Sequence, residues 1–129
     1  MKVTGRVNAE FLARYKIKAQ DNLVKTADAM KTDLVQSQTM PFDTGALQNN
    51  STFVDDSNKY QNKVSIVSDT PYARKLYFHP EFNYQKDKNA NAGGQWFEPY
   101  ISGDKKDFAA KAFKKFMKRS SNTWIWINI

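Results

Sequence analysis

Leu12, Tyr15, Ala19, Leu23, Ala27, Met30 and Leu34 recur at intervals of three and four residues. That is the repeat of one helix face, sustained over many turns. No Gly or Pro interrupts the pattern before Pro41. It predicts a long helix over about 8–38, with Asn8 as N-cap and Glu10 in the favoured first turn. About 30 residues make a helix roughly 45 Å long, more than a small core covers, so part of it is expected to meet another subunit. The alternative is two helices broken near Asp21-Asn22.

Beyond Pro41 the period changes. "ALQNNSTFVDD" and "YQNKVSIVSD" flank the turn-forming "DDSNK", and Tyr60, Val64 and Ile66 fall in phase at period two. An antiparallel hairpin over about 47–68 follows. In "DTPYARKLYF", Thr70 as N-cap and Pro71 at the first helical position predict a short helix. "HPEFNYQKDKNANAGGQWFEP" has no period and reads as a mobile loop over about 79–95, since "KDKNANAGG" has little to bury. A second helix is predicted over about 104–120, capped by Asp104, with Phe108, Ala109, Ala112, Phe113 and Phe116 as its apolar stripe. The alternation in "NTWIWINI" predicts a terminal strand over about 123–129, apolar on both faces and in need of cover on both. Neither a repeat nor a linker divides the 129 residues, which reads as a single domain over 1–129.

Charge sharpens the picture of the last helix. The net +7 is uneven: residues 105–129 hold seven basic groups and one acidic, against six and eight in 40–104. Lys111, Lys114, Lys115, Lys118 and Arg119 share the face opposite the apolar stripe. Such a face is either solvated or attracts an acidic partner or nucleic acid. No cysteine is present, which excludes disulfides, thiolate catalysis and cysteine-bound zinc, and the single His79 excludes a multi-histidine metal site within one chain. No cofactor is expected. No apolar run approaches the roughly 18 residues of a membrane span, and "MKVTGRVNAEF" lacks the apolar core of a secretory signal, so no membrane partner is expected.

"PFDTGALQNN" carries one candidate for catalysis. Asp-Thr-Gly-Ala holds the catalytic aspartate of retroviral-type aspartic proteases, where two such aspartates share a proton in a β-rich core. Here the peptide follows a long amphipathic helix, the only Gly-Arg is Gly5-Arg6 at the wrong end, and no glycine-rich flap is present. A structural turn explains each residue: Pro41 ends the helix, Asp43 and Thr44 supply turn chemistry, and Gly45 accepts a positive φ. His79 with Glu81 is the other acid–base pair, but no serine or cysteine motif accompanies it, so it is read as a structural hydrogen bond and the chain as no enzyme.

The succession of a long helix, "PFDTGALQNNS", a hairpin, "DTPYARKLYFHPEFNYQKDKNANAGGQWFEP" and a basic helix resembles the minor capsid proteins of tailed bacteriophages that infect Gram-positive bacteria. These look akin to the wider group of head–tail joining, or tail-completion, proteins. The resemblance spans about residues 8–120 and leaves out "TWIWINI". It implies an α+β fold, a small antiparallel β-sheet packed against a long N-terminal helix and a second, basic C-terminal helix. It also implies a structural subunit of the virion neck that assembles into a ring with copies of itself, contacts neighbouring neck and tail proteins, and passes through the host cytoplasm during assembly.

Interface anchors are then sought among the aromatics Phe82, Tyr84, Trp96, Phe97, Trp124 and Trp126. Trp96 and Phe97 fit equally well folded back onto the chain's own core. The competing function is a nucleic-acid-binding module using the basic helix, with or without a place in a neck.

Overall fold

A computed structural model describes residues 9–41, 52–70, 72–84, 86 and 89–120, and the backbone of 121–128. Its layout is helix-rich α+β. In chain order come α1 (Ala9–Gln36), β1 (Thr52–Asp55), β2 (Ser65–Ser68), α2 (Ala73–Tyr77), α3 (Glu98–Ile101) and α4 (Phe108–Asn128).

Helix α1 is continuous for 28 residues and passes through Asp21-Asn22 without a break. Asn22 is buried there instead of bending the chain. Its side-chain amide lies 3.1 Å from Ser120 Oγ and 3.0 Å from Met117 Sδ, both on α4. Lys18 Nζ donates to the Ser120 carbonyl at 2.9 Å, and Asp33 meets Lys105 at 2.8 Å at the other end. The two helices therefore run antiparallel. The contact is partly polar through Asn22 and Lys18, and along α1 as a whole Gln20, Asn22 and Thr26 are buried as well as Ala27 and Leu34. These three polar side chains are tolerated there because each is bonded, Thr26 Oγ1 to the Asn22 carbonyl at 2.8 Å for example.

The sheet is one antiparallel pair, with Thr52 opposite Ser68 and Asp55 opposite Ser65. Both strands have four residues, shorter than the predicted hairpin, whose residues 47–51 lie outside those described. Tyr60 is not in strand phase but in a 3-10 turn over Lys59–Gln61, and it is exposed. The connection is longer than "DDSNK" because Asp55 accepts from Ser57 and ends β1, while Asn62 takes a left-handed φ of 63° before β2. The hairpin rests on α1 through Gln20 Nε2 to Asn62 Oδ1 at 3.1 Å and Lys59 to Asp21 at 3.7 Å.

Leu34, Met40, Ala73 and Trp96 form the core, with Leu76, Tyr77, Phe97 and Tyr100 packed against it. It gathers the end of α1, the start of α2 and the approach to α3. Helix α2 starts at Ala73 with no side-chain cap from Thr70, and Pro71 lies outside the described residues. Helix α3 is an unpredicted turn on "EPYI", where proline suits the first positions.

Two corrections concern the last element. Asp104 caps nothing: Lys105, Lys106 and Phe108 bond in successive turns, and α4 begins at Phe108. The terminal strand over 123–129 is replaced by helix, which continues to Asn128. No Gly or Pro follows Gly103, so each added residue joins an existing helix for one hydrogen bond, whereas a strand needs a partner strand to satisfy its backbone.

Candidate interaction surfaces

Part of the segment predicted to be mobile, residues 89–93, is bonded to the end of α1, while residues 85, 87 and 88 lie outside those described. Helix α1 ends with Gln38 at a φ of 57°, the left-handed conformation that reverses a chain after a helix. The reversal exposes the backbone of 38–40 to residues 89–93. Asn91 N–H donates to the Gln38 carbonyl at 3.1 Å and Gly93 N–H to the Thr39 carbonyl at 3.0 Å. Asn89 Nδ2 donates to the Met40 carbonyl at 2.8 Å and Asn91 Nδ2 to the Ser37 carbonyl at 3.0 Å. Asn89 and Ala92 are buried. Asparagine-rich sequence, read as unable to bury itself, supplies the amides that satisfy carbonyls at a helix end.

The interface candidates differ in burial. Trp96 is 2% exposed and belongs to the core. Its ring meets Tyr77 edge-on at 5.0 Å, and its Nε1–H donates to Ser68 Oγ at 3.3 Å. Phe97 is half-buried, 5.8 Å from Tyr77. Tyr84 is also half-buried: its hydroxyl proton is shared between the carbonyls of Leu76 and His79, which fold 79–84 back over α2. Burial holds the Tyr84 hydroxyl above its ordinary pKa. Phe82 remains 40% exposed, stacked 4.6 Å from His79. His79 in turn lies 2.7 Å from Glu81, whose carboxyl is held below its ordinary range by that bond. The side chains of Trp124 and Trp126 lie outside those described.

Pro41 is half-buried beside buried Met40. Asp43, Thr44 and Gly45 lie outside the described residues, and the turn they were assigned remains an expectation.

Lys111, Lys114, Lys115, Lys118 and Arg119 are all exposed, while Phe108, Ala109, Ala112, Phe113 and Phe116 are half-buried, as the helical period requires. A second surface lies at the start of α1. Phe11, Leu12 and Tyr15 are 38%, 51% and 50% exposed on one side of it, and Phe11 stacks on Tyr15 at 6.3 Å.

One polar cluster escaped sequence reasoning. Asp33 accepts from the Tyr100 hydroxyl at 2.6 Å and from Lys105 at 2.8 Å. Burial pulls the Asp33 carboxyl upward, but the bonds from Lys105 and Tyr100 outweigh it and leave the group below its ordinary value. Burial, then the Asp33 bond and charge, push the Tyr100 hydroxyl well above the usual tyrosine range. Its members stand 67 and 72 positions apart, so no local spacing announces it.

Among the described residues, no group of three or more His, Cys, Asp or Glu side chains is placed to hold a metal. No described helix is long and apolar enough to cross a membrane. No family model, curated protein or solved structure matches the chain.

Proposed function

We propose that the chain is a structural virion protein, a ring-forming subunit of the neck that joins head and tail in a tailed phage, with no catalytic role. One observation carries this reading. The stretch "DTPYARKLYFHPEFNYQKDKNANAGGQWFEP", on which the resemblance rests, supplies Ala73 and Trp96 to the core and straps the end of α1. The stretch that carries the resemblance thus contributes to the core. The exposed Phe11, Leu12 and Tyr15 add a helix face suited to burial against a neighbouring copy. Light scattering across concentration, with electron microscopy of the same sample, tests it. A discrete ring is expected, and Leu12→Glu with Tyr15→Glu should disperse it. A single-chain mass at every concentration, with no annular particles, speaks against the proposal.

The second reading, nucleic-acid binding, is favoured by one observation: five cationic side chains lie exposed on one face of α4. A solvated amphipathic helix presents the same face, and the salt titration set out below separates the two.

A further inference from the structure

Two adjacent clefts flank α2, and Arg74 and Phe78 line both. The first has a volume of about 180 Å³ and is walled by Trp96, Phe97, Tyr77 and Thr70. The second, about 480 Å³, adds Lys75 and His79. Three features set this place apart from ordinary surface. Phe78 is 61% exposed although Tyr77 and Trp96, next to it, are packed. Arg74 and Lys75 make no ion pair with any described residue, whereas His79 is already engaged by Glu81. The Thr70 hydroxyl is buried and has no hydrogen-bond partner among the described residues. An unsatisfied buried hydroxyl is costly, so an adjustment of the cleft wall that lets a polar group of a ligand reach it is rewarded.

We propose that this double cleft docks a short acidic peptide segment of a protein partner. An apolar side chain of the segment enters the smaller cleft beside Phe78, a polar atom reaches Thr70, and carboxylates pair with Arg74 and Lys75. Arginine suits a carboxylate because its planar fork matches two oxygens. Two adjacent cations match one or two carboxylates, whereas a nucleic-acid strand is held by cations repeated along its backbone. The proposal does not depend on the neck reading: it concerns a different surface and stands whether or not the chain forms rings.

The test is selection of a yeast-displayed random peptide library on the intact chain, followed by titration of the best synthetic peptide with the Trp96 indole N–H followed by NMR. Enriched peptides should carry Asp or Glu beside an aromatic or aliphatic residue and shift the Trp96 resonance. Arg74→Glu with Lys75→Glu, both exposed positions, should weaken binding at least tenfold and leave the unliganded spectrum native. Thr70→Val keeps the shape and removes the hydroxyl. It should reduce affinity severalfold without lowering the thermal midpoint. Enrichment of basic peptides, enrichment unchanged on the charge-reversed chain, no enrichment at all, or tighter binding of oligothymidylate at these residues would each overturn the proposal.

Discussion

Asn89 donates its side-chain amide to the backbone carbonyl of Met40, 49 positions earlier, at 2.8 Å, and both residues are buried. This bond pins the long loop to the end of α1 at the point where the chain leaves the helix. The carbonyl of a buried residue just past a helix end has no helical partner, and here the loop provides one.

Asn89→Ala should therefore cost about 1–3 kcal/mol, because it leaves the Met40 carbonyl buried and unpaired. Urea unfolding measures the loss. Native-state hydrogen exchange should show the Asn91 and Gly93 amides deprotected together, since both bond to the same turn. Full protection of those amides in the variant would contradict the strap.

Gly94→Ala tests the close approach of the loop to α2. A Cβ at Gly94 would stand 2.9 Å from the carbonyl oxygens of both Leu76 and Tyr77. Those are backbone atoms and cannot rotate away. The Tyr77 carbonyl also accepts the Gln95 N–H at 2.9 Å, so the strain should spread to the Trp96 approach. A destabilisation of about 1–3 kcal/mol is expected from overpacking, read as a lowered thermal midpoint. A neutral outcome would mean that the loop stands off from α2.

The Asp33 cluster predicts a two-sided pH dependence. The Asp33 pKa is lowered from its ordinary 3.8, so its contribution is fully present above that value and is lost as pH falls through the lower native one. The Tyr100 pKa is raised from its ordinary 10.0. Its contribution is present below that value and is lost as pH rises through the higher native one. At neutral pH, Asp33→Asn should cost about 1.5–3 kcal/mol at most, discounted because the ion pair with Lys105 is about one-third exposed. Below pH 3.8 the gap between wild type and Asp33→Asn should close. Tyr100→Phe should soften the alkaline limb. Denaturant midpoints across the pH range decide both points.

The basic face of α4 predicts little. Each phosphate neutralised contributes a slope of about −0.9 in log K against log salt, so five contacts would give about −4.5. If apolar packing organises the helix and the lysines occupy what remains, duplex DNA should bind weakly, with a shallow slope that Lys114→Glu with Lys118→Glu barely alters. A steep slope that flattens in the double variant would establish the nucleic-acid reading instead.

Periodicity determined the two long helices and the side of α4 that faces water. A helix writes its buried face into spacings of three and four, and those spacings need no knowledge of the partner. Turn chemistry marked the hairpin, though not its length, because Asp55 and Asn62 end the strands through bonds that composition alone does not rank.

Tertiary structure alone decided the rest. The burial of Trp96 was undecidable in sequence, since an aromatic suits a core and an interface for the same apolar reason. The Asn89–Met40 bond and the Asp33–Tyr100–Lys105 cluster join residues 49 to 72 positions apart, and such distances leave no local pattern. The end of α4 shows the converse. Its alternation favoured a strand, yet a strand's backbone must find another strand, while the helix already running through Phe108–Asn128 satisfies each new residue from within.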